Sequence, residues 1–393
     1  MRPNPARALT ARSATCVALC CIATACKPPD ARTRDTAQPP GAAAASAAAD
    51  SATWTLGAPQ VRIGEGGGDG QELDRVYGGV IGPDGSVVIG NAGTGELRFY
   101  DPRGALRMAG GRRGMGPGEF QSINWLRPFR GDSLVVFDLQ TQRLSVWSGD
   151  GVFARVIPTN SVPGHVRPIG VFGDGSMLLA ADQPYDPRTG PGVVRDAFEL
   201  LRVDASGAPL GSLGRFPGTE WLLYRHPTSF AAAQVPFGRT RHVAAGAGHV
   251  FVAPSDSAVV AVHDLSGRIL RTISISAAPR RPRRDEVEDA LARIPDETQR
   301  DALREHLASR RGRARAPVIL DLRTDRAGRV WVCTLASAPD RHRWLVFAPS
   351  GTQEGSIVMP AGYLPLDIDR DRVLARETGA DGVQRVVLHD MRP

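Results

Sequence analysis

The sequence predicts an all-β fold: a six-bladed β-propeller closed by an N-terminal strand, with a helical insertion between blades four and five. Three observations predict it. From Trp54 onward, short apolar runs alternate with Asp-Gly and Ser-Gly turns, the pattern of many short antiparallel strands. The turns before each second strand end at Gly85, Asp132, Gly175, Gly248, Gly328 and Asp371, in steps of 47, 43, 73, 80 and 43 residues. Three steps match one blade of about 40 to 50 residues, and the two long ones hold insertions. The last unit also has three strands where the others have four, while an unassigned strand lies around Gln60 to Gly64. That strand supplies the missing one. First and last blades are then hydrogen-bonded together, and no sheet edge stays open.

Taken in order, the chain begins with Arg2, Arg7 and Arg12 ahead of a short apolar stretch, Ser13 to Ala25. A spanning helix needs about 20 residues, so this stretch reads as an export signal. It ends Ala23-Thr24-Ala25-Cys26, which resembles the lipobox of bacterial lipoproteins. Ala23 stands where that motif usually has leucine, and Cys20 and Cys21 fit less well. Residues 1–25 are therefore read as a lipoprotein signal peptide and Cys26 as the lipidated residue. A plainly cleaved secretory signal and an uncleaved anchor are the alternatives. Residues 26–53, rich in Ala, Pro, Ser and Thr, have nothing periodic to bury and read as a disordered tether. The propeller is assigned to residues 54–393.

The first full unit, Leu73 to Phe120, sets the grammar. Strands are expected at Val76 to Ile81, Val87 to Gly90, Glu96 to Tyr100 and Ala105 to Ala109, with turns at Asp84-Gly85 and Asp101-Pro102-Arg103-Gly104. A glycine-rich tail, Gly110 to Gly118, follows. It lacks the lysine and Ser or Thr of a phosphate-binding loop, and reads as the crossing to the next blade. The second unit repeats the scheme from Trp125 to Ile157. The third runs from Pro168 to Leu213 with an insertion at Gln183 to Asp196, the fourth from His242 to Ile275, the fifth from Val318 to Val358 and the sixth from Tyr363 to His389.

Between units four and five the period changes. Val287, Leu291 and Ile294 share one helix face, Pro295 interrupts, and Leu303 and Leu307 continue an apolar stripe. Asp285, Glu286 and Glu288 suit a helix N-terminus, and Arg310 and Arg311 a C-terminus. The insertion, residues 285–311, is expected either to pack on the propeller as a helical hairpin or to act as a lid or partner-binding arm.

Composition narrows the function classes. The net charge is +7, yet Lys27 is the single lysine and the arginines are spread along the chain. Spread charge marks a solvated surface, so no nucleic-acid partner is expected. Of the five cysteines, Cys16, Cys20, Cys21 and Cys26 lie in the leader. Cys333 alone remains in the body, where it reads as a small buried residue. The body histidines form no His-x-His or His-Glu-x-x-His pair. There is no Gly-x-Ser-x-Gly elbow. No catalytic or cofactor-binding residues are assigned, and the metal site is left unknown.

The repeat resembles the NHL-type six-bladed propeller lipoproteins of environmental bacteria. The resemblance rests on Pro83-Asp84-Gly85, on Phe99-Tyr100-Asp101 with Gly104, and on Gly114-Met115-Gly116-Pro117-Gly118-Glu119-Phe120. It implies a binding or scaffold role without catalysis, in a cell-envelope protein held to a membrane by its lipid and facing periplasm or exterior. The partner is an unidentified protein or small molecule. The alternative is a propeller hydrolase or lactonase with calcium in the central channel, for which no motif speaks. Asp74, Asp174 and Asp367 are its candidate ligands. Tyr77, Trp125, Trp221, Tyr224 and Trp331 are candidate stacking platforms.

Overall fold

In the computed structural model the described residues are 44–45 and 52–392, without positions 69, 184–189, 227–228, 278, 310–313, 339 and 380. The signal segment 1–25, Cys26 and most of the tether lie outside them.

The turns explain why the chain breaks into short strands. Asp101, Asp204 and Asp264 each place one carboxylate oxygen on two backbone N–H groups further along the turn. Gly104, Gly207 and Gly267 then take positive φ of 83°, 92° and 86°, which side chains with a Cβ resist. An acid followed three residues later by glycine is thus a hairpin written into the sequence.

The hairpins build antiparallel meanders. The first comprises Val76–Ile81, Val87–Asn91, Glu96–Tyr100 and Leu106–Gly110. The second comprises Ile123–Pro128, Leu134–Asp138, Arg143–Trp147 and Phe153–Ile157. The third adds a strand: His165–Val171, Met177–Gln183, Gly192–Val203, Pro209–His226 and Ser229–Gln234. Arg241–Gly246, His249–Pro254, Val259–His263 and Ile269–Ser274 follow. Two helices come next, α1 (Arg284–Ala292) and α2 (Glu297–Ser309).

Eight further strands form one sheet made of two meanders and a strand between them. One is Asp321–Thr324, Val330–Leu335, Arg341–Phe347 and Gln353–Pro360. The other is Tyr363–Asp369, Arg372–Thr378 and Gln384–Arg392. Between them lies Ala52–Ile63, with Ala52 to Trp54 parallel to Gly355 to Ile357 and Thr55 to Ile63 antiparallel to Val386 to Arg392.

First strands of successive meanders touch, from Tyr363–Asp369 to Val76–Ile81 and on through Ile123–Pro128, His165–Val171, Arg241–Gly246 and Asp321–Thr324. Arg326 N, donating to Ile368 O at 3.2 Å, links the last of these back to the start. Meanders stacked radially about their first strands make a β-propeller. Apolar clusters fill the wedge between neighbours. Val61, Ile63, Ile89 and Leu374 occupy one wedge, and Leu97, Phe120, Leu126 and Trp147 the next. Gly78 and Gly79 belong to the packing: a Cβ would meet Leu126 at 2.7 Å on one residue and Leu374 at 2.9 Å on the other. The inner strands approach that closely only without side chains there.

The glycine-rich tail is an ordered crossing. The Glu119 carboxylate accepts from Gly116 N at 2.8 Å and Arg112 Nε at 2.7 Å. Arg143 donates to the carbonyls of Met115, Gly116 and Glu119, and Phe120 is buried behind them.

The third unit departs from expectation. Its fourth strand was expected at Leu210 to Leu213 but runs over Pro209–His226, and Ser229–Gln234 was not anticipated. Part of the expected insertion, from Gly192 on, is paired strand, with Gly192 opposite Leu223. This long ribbon survives because its apolar side is covered: Leu222, Tyr224, Ala233 and Val235 pack against Leu291, Leu303 and Leu307 of the helices.

The joining strand carries a clear expectation. Ile63 is fully buried between the first and last meanders. Ile63→Ala should cost about 2–5 kcal/mol, read as a lowered urea midpoint with an unchanged denaturant slope.

Candidate functional site

Two concave regions lie at opposite ends of the first strands. The larger, of about 920 Å³, sits where those strands begin and is roofed by α1. Its floor is His242, Ile319 and Leu320. Its wall is the loop Val235 to Gly238, and Asp289 and Arg293 reach it from the helix. The size is that of pockets for small organic ligands, about 300–1,000 Å³.

The roof is held in place by charge and by apolar contact. Arg280 donates from both terminal nitrogens to the two oxygens of Glu286, at 2.8 and 2.5 Å. Arg283 N donates to the same carboxylate at 2.7 Å, capping the helix. These bonds hold Glu286 well down, at about 2, with Arg280 the largest cause. Leu291, Leu303 and Leu307 are buried on the ribbon, each contributing roughly 2 kcal/mol. Asp289 and Arg293, one helical turn apart, have no ion-pair partner within 4.0 Å among the described residues. They present one negative and one positive group to the cavity.

Two further features mark this end. Phe237 holds φ of 57°, a strained conformation for a bulky residue that recurs at functional sites. A turn bond from Gly238 N to Val235 O, 2.9 Å, keeps it there. His242 is held below its ordinary value by burial, with Asp321 and the Ile319 carbonyl pulling the other way. A neutral imidazole on the floor is thus the resting state.

The smaller region, about 440 Å³, is the channel mouth at the far end, where first strands end. Arg127, Arg130 and Arg326 line it with Asp367. Glycines at 131, 170 and 246 lie in its wall; at 170 and 246 a Cβ would meet Ala245 O at 2.6 Å and Thr324 Oγ1 at 3.1 Å, so these two serve strand packing.

The structure does not bring the three candidate carboxylates together. Asp74 is exposed beside Arg75. Asp174 is a turn acid accepting from Ser176 and Arg202. Asp367 does face the channel, but its Oδ2 accepts from Ile81 N at 2.9 Å and from Arg326. Among the described residues no three His, Cys, Asp or Glu side chains converge as metal ligands.

The aromatic candidates also divide. Tyr224 is packed under the helices, and Trp221 donates its indole N–H to Asp196 at 2.8 Å. Trp331 is fully buried with its indole N–H on Asp325 at 2.9 Å. Tyr77 and Trp125 lie on first strands, each with an arginine over its ring, Arg376 at 5.6 Å and Arg127 at 5.5 Å. Burial pushes the Cys333 thiol far above its ordinary value, so it is no nucleophile. Arg127 was missed by sequence reading, since an arginine-rich chain hides one informative arginine.

The chain matches no protein-family model and no curated protein. Solved structures are similar in outline. An exported protein from Bacteroides fragilis is 10% identical, covering 89% of this chain and 98% of its own, with a TM-score of 0.49. A gluconolactonase from Xanthomonas campestris is 11% identical, covering 81% and 87%, with a TM-score of 0.43. A virginiamycin B lyase from Staphylococcus aureus is 9% identical, covering 80% and 94%, with a TM-score of 0.39. At such scores no activity carries over to this chain. Among the described residues no helix is long and apolar enough to cross a membrane.

The buried histidines set a pH expectation. Burial lowers both His242 and His263, whereas unfolded histidine protonates near 6.5. Below that value the unfolded chain binds the extra protons, so stability falls as pH drops, until the folded groups protonate too. Urea midpoints at about pH 7.5 and about pH 5 should differ in the wild type, and differ less in His242→Gln.

Proposed function

We propose that this chain is a cell-envelope lipoprotein whose six-bladed propeller, closed by its N-terminal strand, binds a small ligand without catalysis. The observation that carries the reading is the cavity of about 920 Å³ beneath α1. It combines the apolar Ile319 and Leu320 with Asp289 and Arg293, which have no ion-pair partner within 4.0 Å among the described residues. Such a lining suits a ligand with both an apolar body and polar ends. His242 shares the lining with Thr240 and Ser255, and the Ser255 hydroxyl accepts from Thr240 N at 3.0 Å. The NHL-like turns support the repeat count, and the pairing of Ala52–Ile63 with both flanking meanders supports closure. The envelope address rests on the lipobox-like run before Cys26.

Native mass spectrometry of protein purified from its own host tests the binding role. A co-purifying small molecule should be found on the wild type and be lost or reduced about tenfold in the Asp289→Ala, Arg293→Ala double variant. Equal occupancy in both would place the ligand elsewhere. The address has its own test. Mature protein should lack residues 1–25 and carry acyl mass on Cys26, and an unlipidated N-terminus would sink the anchor.

A further inference from the structure

The channel mouth far from the helices has a charge imbalance. Arg326 is neutralised there by Asp367 and, at 3.8 Å, by Asp369. Asp325, the other acid of the wall, is fully buried and committed to Arg329 and the Trp331 indole. Arg127 and Arg130 are left without a carboxylate within 4.0 Å among the described residues. Arg130 has only the carbonyl of Asp174, at 2.6 Å.

Arg127 is placed by the fold rather than by chance. Its Nη1 donates to Leu126 O at 2.8 Å and to Leu366 O at 3.2 Å. Leu366 belongs to the last meander, so the guanidinium crosses in front of the intervening first meander. Gly78 and Gly79 let the flanking strands pack close, the former against Leu126 and the latter against Leu366 and Leu374. Trp125 lies under the guanidinium at 5.5 Å. Nη2 and Nε have no acceptor among the described residues. Burial, then the charge of Arg323, hold this arginine down to about 10, against the pull of Asp367 and Asp321. It therefore stays charged at neutral pH, half-buried and with no carboxylate in direct contact among the described residues, so an anion can pair with it.

We propose that this mouth is an oxyanion site, taking a phosphate or carboxylate group of a small molecule between Arg127 and Arg130. A guanidinium fork matches two oxygens of either group. At Gly131 a Cβ would meet nothing within 4 Å, so the backbone there is open to such a ligand. The site is separate from the cavity under α1 and stands whether or not that cavity is occupied.

Isothermal titration with inorganic phosphate, and separately with malonate, at matched ionic strength distinguishes the two oxyanion classes. Saturable binding of at least one is expected, with a rise in melting temperature on addition. Arg127→Met should weaken it at least about tenfold. Without ligand, the same variant should melt close to the wild-type temperature, because Arg127 is half-buried and has no carboxylate within 4.0 Å among the described residues. Arg130→Gln, at an exposed position, keeps the test open should Arg127→Met fail to fold, and should weaken binding about fivefold. The site is refuted if neither anion binds saturably, or if both folded variants bind as the wild type does.

Discussion

Ala52–Ile63 is hydrogen-bonded to Gly355 to Ile357 along its start and to Val386 to Arg392 along the rest. Both meanders of the eight-stranded sheet would otherwise show an open edge at this seam. Unpaired strand edges template association with other chains, so this strand removes a liability while it joins the sheet. Trp54 pins it laterally, 5.5 Å from Trp331 and beneath Arg329 at 5.0 Å. Val61 and Ile63 pin it in depth, in the wedge shared with Leu374 and Val386. The apolar wedge of Val61, Ile63, Leu374 and Val386 depends on this pairing.

Much of this architecture was legible because hairpins are local. An aspartate and a glycine three residues apart state a turn without reference to the rest of the chain, as at Asp204 and Gly207. The helices were legible for the same reason, through Val287, Leu291, Leu303 and Leu307 at helical spacing. What those leucines cover was not. The ribbon from Pro209 to Gln234 is interrupted by Gly211, Gly214 and Pro217-Gly218, which punctuate a sequence like loops. Here they fall at irregularities within a paired strand, where the register to Gly192–Val203 shifts. Site residues were the least legible. Asp74 and Asp174 have turn and surface duties that sequence position alone does not separate from ligation. Arg127 gains its meaning from Leu366, 239 residues away.

The two ends of the first strands differ in kind. At the helical end, acids and bases are mostly spent on each other: Glu286 on Arg280 and Arg283, Glu220 on Arg239. Apolar surface and a strained Phe237 remain. At the other end arginines outnumber available acids. One scaffold thus offers an amphipathic recess and a cationic funnel, with no shared wall residues in their linings.

The joining strand also has a consequence for biosynthesis. Gln60 and Asp390, bonded at 2.7 Å, are 330 residues apart. During translation the first of these partners is made long before the second exists. Earlier meanders form from local hairpins as they emerge, but the seam waits for the final strand. A chain stopped short of Gln384–Arg392 would carry most of its wedges intact and still display Ala52–Ile63 with a vacant side. Such a product is well folded yet adhesive, the kind of species that chaperones and proteases sort. Synthesis of Gln384–Arg392 is thereby read out as the disappearance of one sticky edge.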